Sequence, residues 1–225
     1  VLVDRQFTRL SGLLVAVPVI ALLVAGCAST DDDARPGVTP TSAASSSGSG
    51  DESDIQPPDD LSFASGADLD PRLRAQWGDP LTADAAFTLT TPDDGNGTWA
   101  YTQNSSQCEV RFWQGDISSI TGTDDDRTLS DAVLATWLQV GTDQVTASAQ
   151  DDAVGYFTGE AARTQVRAVA GTTQSGGSWV AAARGLRAID GGYVVHITCP
   201  AGQDAQAVYA SVRTRGLTLV LAPGL

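Results

Sequence analysis

His196 is the only histidine among the 225 residues, the cysteines are Cys27, Cys108 and Cys199, and lysine is absent. These counts bound the chemistry. One histidine excludes an H-E-x-x-H site and any two- or three-histidine metal centre. Without lysine there is no P-loop, no Schiff base and no Ser-x-x-Lys nucleophile. No G-x-S-x-G elbow occurs, and no G-x-G-x-x-G turn opens a helix after a strand. What remains for acid–base work is His196 with an acid behind it, the arrangement of a hydrolase. His196 lies mid-strand between Val195 and Ile197, facing away from that strand's apolar side. The simpler reading is a sheet-face imidazole bonded to a neighbour. Aspartates at 93–94, 124–126 and 151–152 have the donor chemistry for Ca²⁺ but not the EF-hand spacing, and they read as solvated loop carboxylates. No catalytic set, metal site or cofactor is expected.

A second constellation is a surface. Strand periodicity sets Arg111, Trp113, Arg163, Arg167, Trp179 and His196 on the sides of their strands opposite the apolar residues. Glu109, Gln165 and Arg187 go with them. Arginine and tryptophan on one sheet face suit an anionic ligand, a sugar or a partner protein. The competing reading is a solvated face whose arginines pair with acids, or one covered by the second helix.

The elements that must position these residues follow from pattern. Residues 86–90 alternate, 93–97 (DDGNG) is a turn cluster, and 98–103 and 107–114 read as strands. Thr128 is the expected N-cap of a helix, with Asp131 in the capping-box position. Leu129, Val133 and Trp137, with Leu134 and Leu138, form its apolar stripe, and Gly141 ends it. Residues 163–169, 179–189 and 193–199 read as strands, with turns at 175–178 and 190–192. Residues 203–215 read as a helix stopped at Gly216, and 217–221 as a last strand. A short helix is expected over RLRAQW, from Asp70-Pro71 to Gly78. The order β-β-β-α-β-β-β-α-β, joined by hairpin turns, predicts an α+β fold: a mostly antiparallel sheet with two main helices packed on it.

The N-terminal stretch Leu10–Cys27 (LSGLLVAVPVIALLVAGC) follows Arg5 and Arg9, carries no charge and ends in small residues. That is the layout of a secretory signal. The ending Val24-Ala25-Gly26-Cys27 resembles the lipobox of bacterial lipoproteins, with valine where leucine is commoner. The resemblance implies cleavage before Cys27, a signal peptide over residues 1–26 and acylation of Cys27 by palmitate-type chains. Two or three such chains anchor stably where one would be reversible. The alternative is an uncleaved helix over Leu10–Thr30, barely long enough to span. Both place the remainder outside the cytoplasm, so the resemblance implies the outer face of the bacterial cytoplasmic membrane. With Cys27 assigned to the anchor, Cys108 and Cys199 remain as an even pair in an oxidising compartment and are read as one disulfide.

From Cys27 to Asp60 the chain is a tether. Of the 33 residues from Ala28 to Asp60, 17 are Ser, Thr, Pro or Gly and only Val38 and Ile55 are large and apolar, too few to offset the entropy of ordering. Residues 61–225 make one domain, with 10 arginines against 18 acids. That balance argues against nucleic acid as a partner and leaves membrane attachment to the lipid. The element order resembles the PsbP-like α/β sandwich domains found in lipoproteins of GC-rich Gram-positive bacteria. Many of those are binding or assembly factors, and no functional residue is carried over. The expected function is therefore a non-enzymatic, lipid-anchored extracytoplasmic domain that binds an envelope protein or wall component. A carrier of a lipid or other apolar ligand, in a cavity lined by residues such as Ala181–Ala183, is the alternative, and a hydrolase using His196 the third.

Overall fold

Strand alternation dominates this chain, and the strands assemble into one nine-stranded sheet. The structure, a computed structural model, describes residues 55–157 and 162–224. The expected signal peptide, Cys27 and the tether up to residue 54 lie outside the described residues. After a single helical turn, α1 (Phe63–Gly66), come β1 (Leu73–Gly78), β2 (Phe87–Thr91), β3 (Thr98–Gln103) and β4 (Glu109–Asp116). Helices α2 (Asp126–Leu138) and α3 (Thr142–Ser148) follow. Then come β5 (Gln150–Tyr156), β6 (Arg163–Thr172), β7 (Ser178–Leu186), β8 (Gly191–Cys199), α4 (Ala205–Thr214) and β9 (Thr218–Pro223). The sheet order is β1-β9-β5-β6-β7-β8-β4-β3-β2. Every pairing is antiparallel except β5 with β9. No helix among the described residues is long and apolar enough to cross a membrane.

Helices cover both faces of the middle of the sheet. On one face α4 sets Ala205, Val208, Tyr209 and Val212 against β7 and β8, whose Val180, Ala182, Val195 and Ile197 belong to the same core. On the other, Leu129, Val133 and Leu134 of α2 and Val145 of α3 pack on Val169, Ala181, Ala183 and Val194. Strands β7 and β8 are thus apolar on both sides, which explains the near-continuous run Val180–Ala183. None of the three clefts found among the described residues is lined by these alanines. Ala181 and Ala183 are closed over by α2 and Ala182 faces the α4 side, all of them buried.

The disulfide joins Cys108 to Cys199 across neighbouring strands, one step beyond the Glu109–Thr198 pair of β4 and β8. Leu61 is fully buried and bridges to Thr164, and Ile55, within the stretch read as tether, packs against the α4-side core.

Three expectations are corrected. RLRAQW is strand β1, not a helix: Leu73, Ala75 and Trp77 alternate with Arg74 and Gln76, and Leu73 and Trp77 are buried against the α4-side core. The N-cap of α2 is Asp125, whose carboxylate accepts from the Thr128 N–H, and Gln139 ends the helix in the left-handed region at φ 57°. Gly141 instead begins α3, which with β5 had no periodic signal strong enough to read. Finally, Asp126 is not a solvated loop carboxylate. It is buried and pairs with the buried Arg184 at 2.8 Å.

Candidate functional site

The sheet face beneath α2 and α3 carries the candidate residues, and buried ion pairs hold the helices down on it. Asp131, expected as a capping residue, faces inward and pairs with Arg167 at 2.6 Å, both 1 % exposed. Arg167 also reaches Asp151 and donates to the Ala149 carbonyl. It is therefore enclosed, and its charge serves to attach α2 and β5 rather than to meet a ligand. Arg184 donates to Asp126, the Ser62 carbonyl and the Gln165 carbonyl. Asp126 takes a further bond from the Arg187 N–H. Burial pushes the Asp126 carboxyl up and the Arg184 guanidinium down to about 10, in each case outweighing the partner's charge. A methyl at Gly66 would fall on both Asp126 Oδ2 and Arg184 Nη2, so only glycine lets α1 close over this pair.

Arg111, Trp113, Trp179 and His196 are brought together. Arg111 on β4 is the cross-strand partner of His196 on β8, and Ala181 on β7 flanks His196 from the other side. Trp137, which the sequence presented as one member of the α2 apolar stripe, descends onto His196. Its Nε1–H donates to His196 Nδ1 at 3.1 Å. Trp137 and Trp179 both meet the imidazole edge to face, at 6.2 and 6.0 Å. Trp113 leans on Trp137 at 6.2 Å and 35°. Arg111 pairs with Glu109 at the rim, while its Nε is buried without a partner. Arg163 is exposed on β6 opposite Gly155, away from this cluster, and Arg187 is tied to the loop carbonyls of Ile120 and Thr123. The six candidates therefore divide into four that converge, one sealed in ion pairs and one apart.

Two open clefts flank the Trp137–His196 contact. One, of about 500 Å³, is lined by Leu138, Val140, Val145, Val169, Trp179 and His196 among others. The other, of about 400 Å³, is lined by Trp113, Asp116, Ile117, Thr136, Trp137 and Gln139 among others. A third cleft of about 890 Å³ lies between α4 and the strands β5, β6 and β9, away from the indoles.

Burial, and secondarily the charge of Arg111, push the His196 imidazole down to about 4. It is neutral at physiological pH, with Nδ1 accepting and the proton on Nε2. In a hydrolytic triad the nitrogen away from the nucleophile donates to an orienting carboxylate. Here Nδ1 faces a donor instead, and a base with a pKa near 4 takes protons poorly at neutral pH. Asp126, Asp151 and Asp152 are paired with arginines, Asp125 accepts from the Thr128 N–H, and Asp93 accepts from the turn amides of Gly95 and Gly97. Among the described residues no three His, Cys, Asp or Glu side chains converge as a metal would need. No protein-family model, curated protein or solved structure matches the chain.

Proposed function

We propose that the chain is a lipid-anchored extracytoplasmic binding domain without catalytic activity, held to the membrane through Cys27 and meeting its ligand on the α2–α3 side of the sheet. The observation that carries this reading is the convergence of Arg111, Trp113, Trp137, Trp179 and His196 on one partly open face with a cleft on each side. Aromatic and arginine side chains are what binding surfaces concentrate at their centres. The anchoring half rests on the lipobox-like Val24–Cys27 and on a disulfide that suits an oxidising compartment. The ligand is an envelope protein or a wall component.

Two experiments test it. Metabolic labelling with a palmitate analogue should mark the wild type, and Cys27→Ser should lose the label and be released or left uncleaved. Affinity recovery from envelope extract with wild type and with Arg111→Ala/Trp113→Ala should lose its specific partner in the double variant; equal recovery counts against the face. One observation favours a second reading. The 500 Å³ cleft is mostly apolar, so it suits a small apolar ligand, and displacement of a fluorescent naphthylamine probe sensitive to Trp179→Ala would support a carrier.

A further inference from the structure

Trp113 and Trp179 lie flat on glycines. A methyl at Gly115 would sit 2.7 Å from Trp113 Cζ2 and, within 3.4 Å, would meet only atoms of that same indole. A methyl at Gly192, the cross-strand partner of Gly115, would fall first on Ile117 Cγ2 and then sit 2.9 Å from Trp113 Cζ3. The pair makes a smooth floor over which the indole spreads. Gly171 does the same for Trp179, its own cross-strand partner. Neither indole N–H donates to any described residue, and both Trp113 and Trp179 are half-buried.

The Trp113 cleft adds polar groups to this flat surface. Asp116 Oδ1 accepts from the Ser118 N–H and Oγ–H, which leaves Oδ2 for a ligand. Those same bonds hold its carboxyl below the usual range, so it stays charged and accepts only. Gln139, exposed at the end of α2, offers an amide that both donates and accepts, and Thr136 Oγ, already donating to the Ala132 carbonyl, can still accept.

From these groups we infer that the Trp113–Trp137 cleft binds a neutral pyranose ring of a glycan. The C–H bonds on one face of a pyranose carry slight positive charge and stack on the negative face of an indole. Its equatorial hydroxyls need planar acceptors and amides at the rim, which Asp116 and Gln139 supply. Trp113 and Trp137 are 6.2 Å apart and tilted 35°, too close to admit a cation between them, so they form one stepped surface rather than a cage. The charged Asp116 and the excess of acids in the domain oppose uronates and phosphorylated sugars.

This inference rests on the binding-domain reading. The test is calorimetric titration of the detergent-solubilised full-length chain with cellotetraose, maltotetraose, tetra-N-acetylchitotetraose and, as an anionic comparison, tetragalacturonate. At least one neutral tetramer should bind with a change in tryptophan fluorescence, and tetragalacturonate should not. Trp113→Ala should weaken that binding at least fivefold. Gly115→Ala should do the same, although it keeps every indole and only lifts one ring. Leu89→Ser, exposed on the edge strand β2 two strands away from β4, should leave the affinity unchanged. Failure of all three neutral tetramers, or unchanged affinity in Gly115→Ala, overturns the glycan assignment and leaves the binding-domain reading to the partner recovery described above. Preference for tetragalacturonate overturns the neutral-sugar assignment.

Discussion

Protonating His196 should destabilise the domain, and the size of the effect follows from where the ring sits. The folded-state pKa is about 4 against an ordinary 6.5, lowered by burial and then by Arg111. Protonation would also set an Nδ1–H against the Trp137 N–H that Nδ1 now accepts. Because the folded value is depressed, the unfolded chain binds the proton first. The stabilising contribution is therefore complete above pH 6.5, falls as the pH drops toward 4, and is constant below that. The full shift corresponds to about 3 kcal/mol, and about 2 kcal/mol of it should be lost between pH 7 and pH 5. Asp126, whose carboxyl is raised, titrates in the opposite sense, so the wild-type curve alone is ambiguous. The informative quantity is the difference between wild type and His196→Gln in urea-unfolding free energy at the two pH values. Since His196 is the only histidine, its imidazole resonance gives the pKa directly. A titration near 6.5, or the same pH dependence in both proteins, would refute the placement of His196 beneath Trp137.

Three further outcomes are expected. Asp126→Ala should cost about 3–5 kcal/mol by leaving Arg184 buried and unpaired, and the double change Asp126→Ala/Arg184→Met should be much less destabilised, measured by denaturant unfolding. Opening the Cys108–Cys199 bridge, which closes a separation of 91 residues, should cost roughly 4–5 kcal/mol in the chain-entropy view, and mass spectrometry of protein from the extracytoplasmic compartment should find both thiols oxidised. Gly66→Ala should lower the unfolding midpoint markedly despite its small size, because the methyl lands on the Asp126–Arg184 pair; an unchanged midpoint would contradict the close approach of α1.

Local pattern made some of this architecture legible. Alternation exposed β3, β4 and β8, and the parity of those strands already set both bridge cysteines on apolar faces. The helix read over residues 203–215 announced itself through its stripe of Ala205, Val208 and Val212 and its stop at Gly216, and α4 spans Ala205–Thr214. Where sequence failed, a partner distant in the chain decided the outcome. RLRAQW has credible helical composition, but β9 offers its edge to it, and pairing there buries Leu73 and Trp77. Arg167 looks like an outward strand position until α2 supplies Asp131 from 36 residues away, and Asp126, read as a loop carboxylate, meets Arg184 across 58 residues. The candidate face suffered in the same way. Strand parity grouped Arg111, Trp113, Trp179 and His196, yet nothing local announced that Trp137 would occupy the His196 Nδ1 or that Gly115 and Gly192 would floor the Trp113 ring.

The central claim, that the α2–α3 side of the sheet meets the ligand, is tested most directly by site-specific cross-linking in intact cells. A photoreactive residue at Ser119, which lines the Trp113 cleft, is compared with one at Ala207, exposed on α4 on the opposite side of the sheet. A discrete adduct is expected from position 119, absent in the Arg111→Ala/Trp113→Ala background, and none from position 207. Adducts from position 207 alone, or an adduct at 119 indifferent to the double variant, would contradict it.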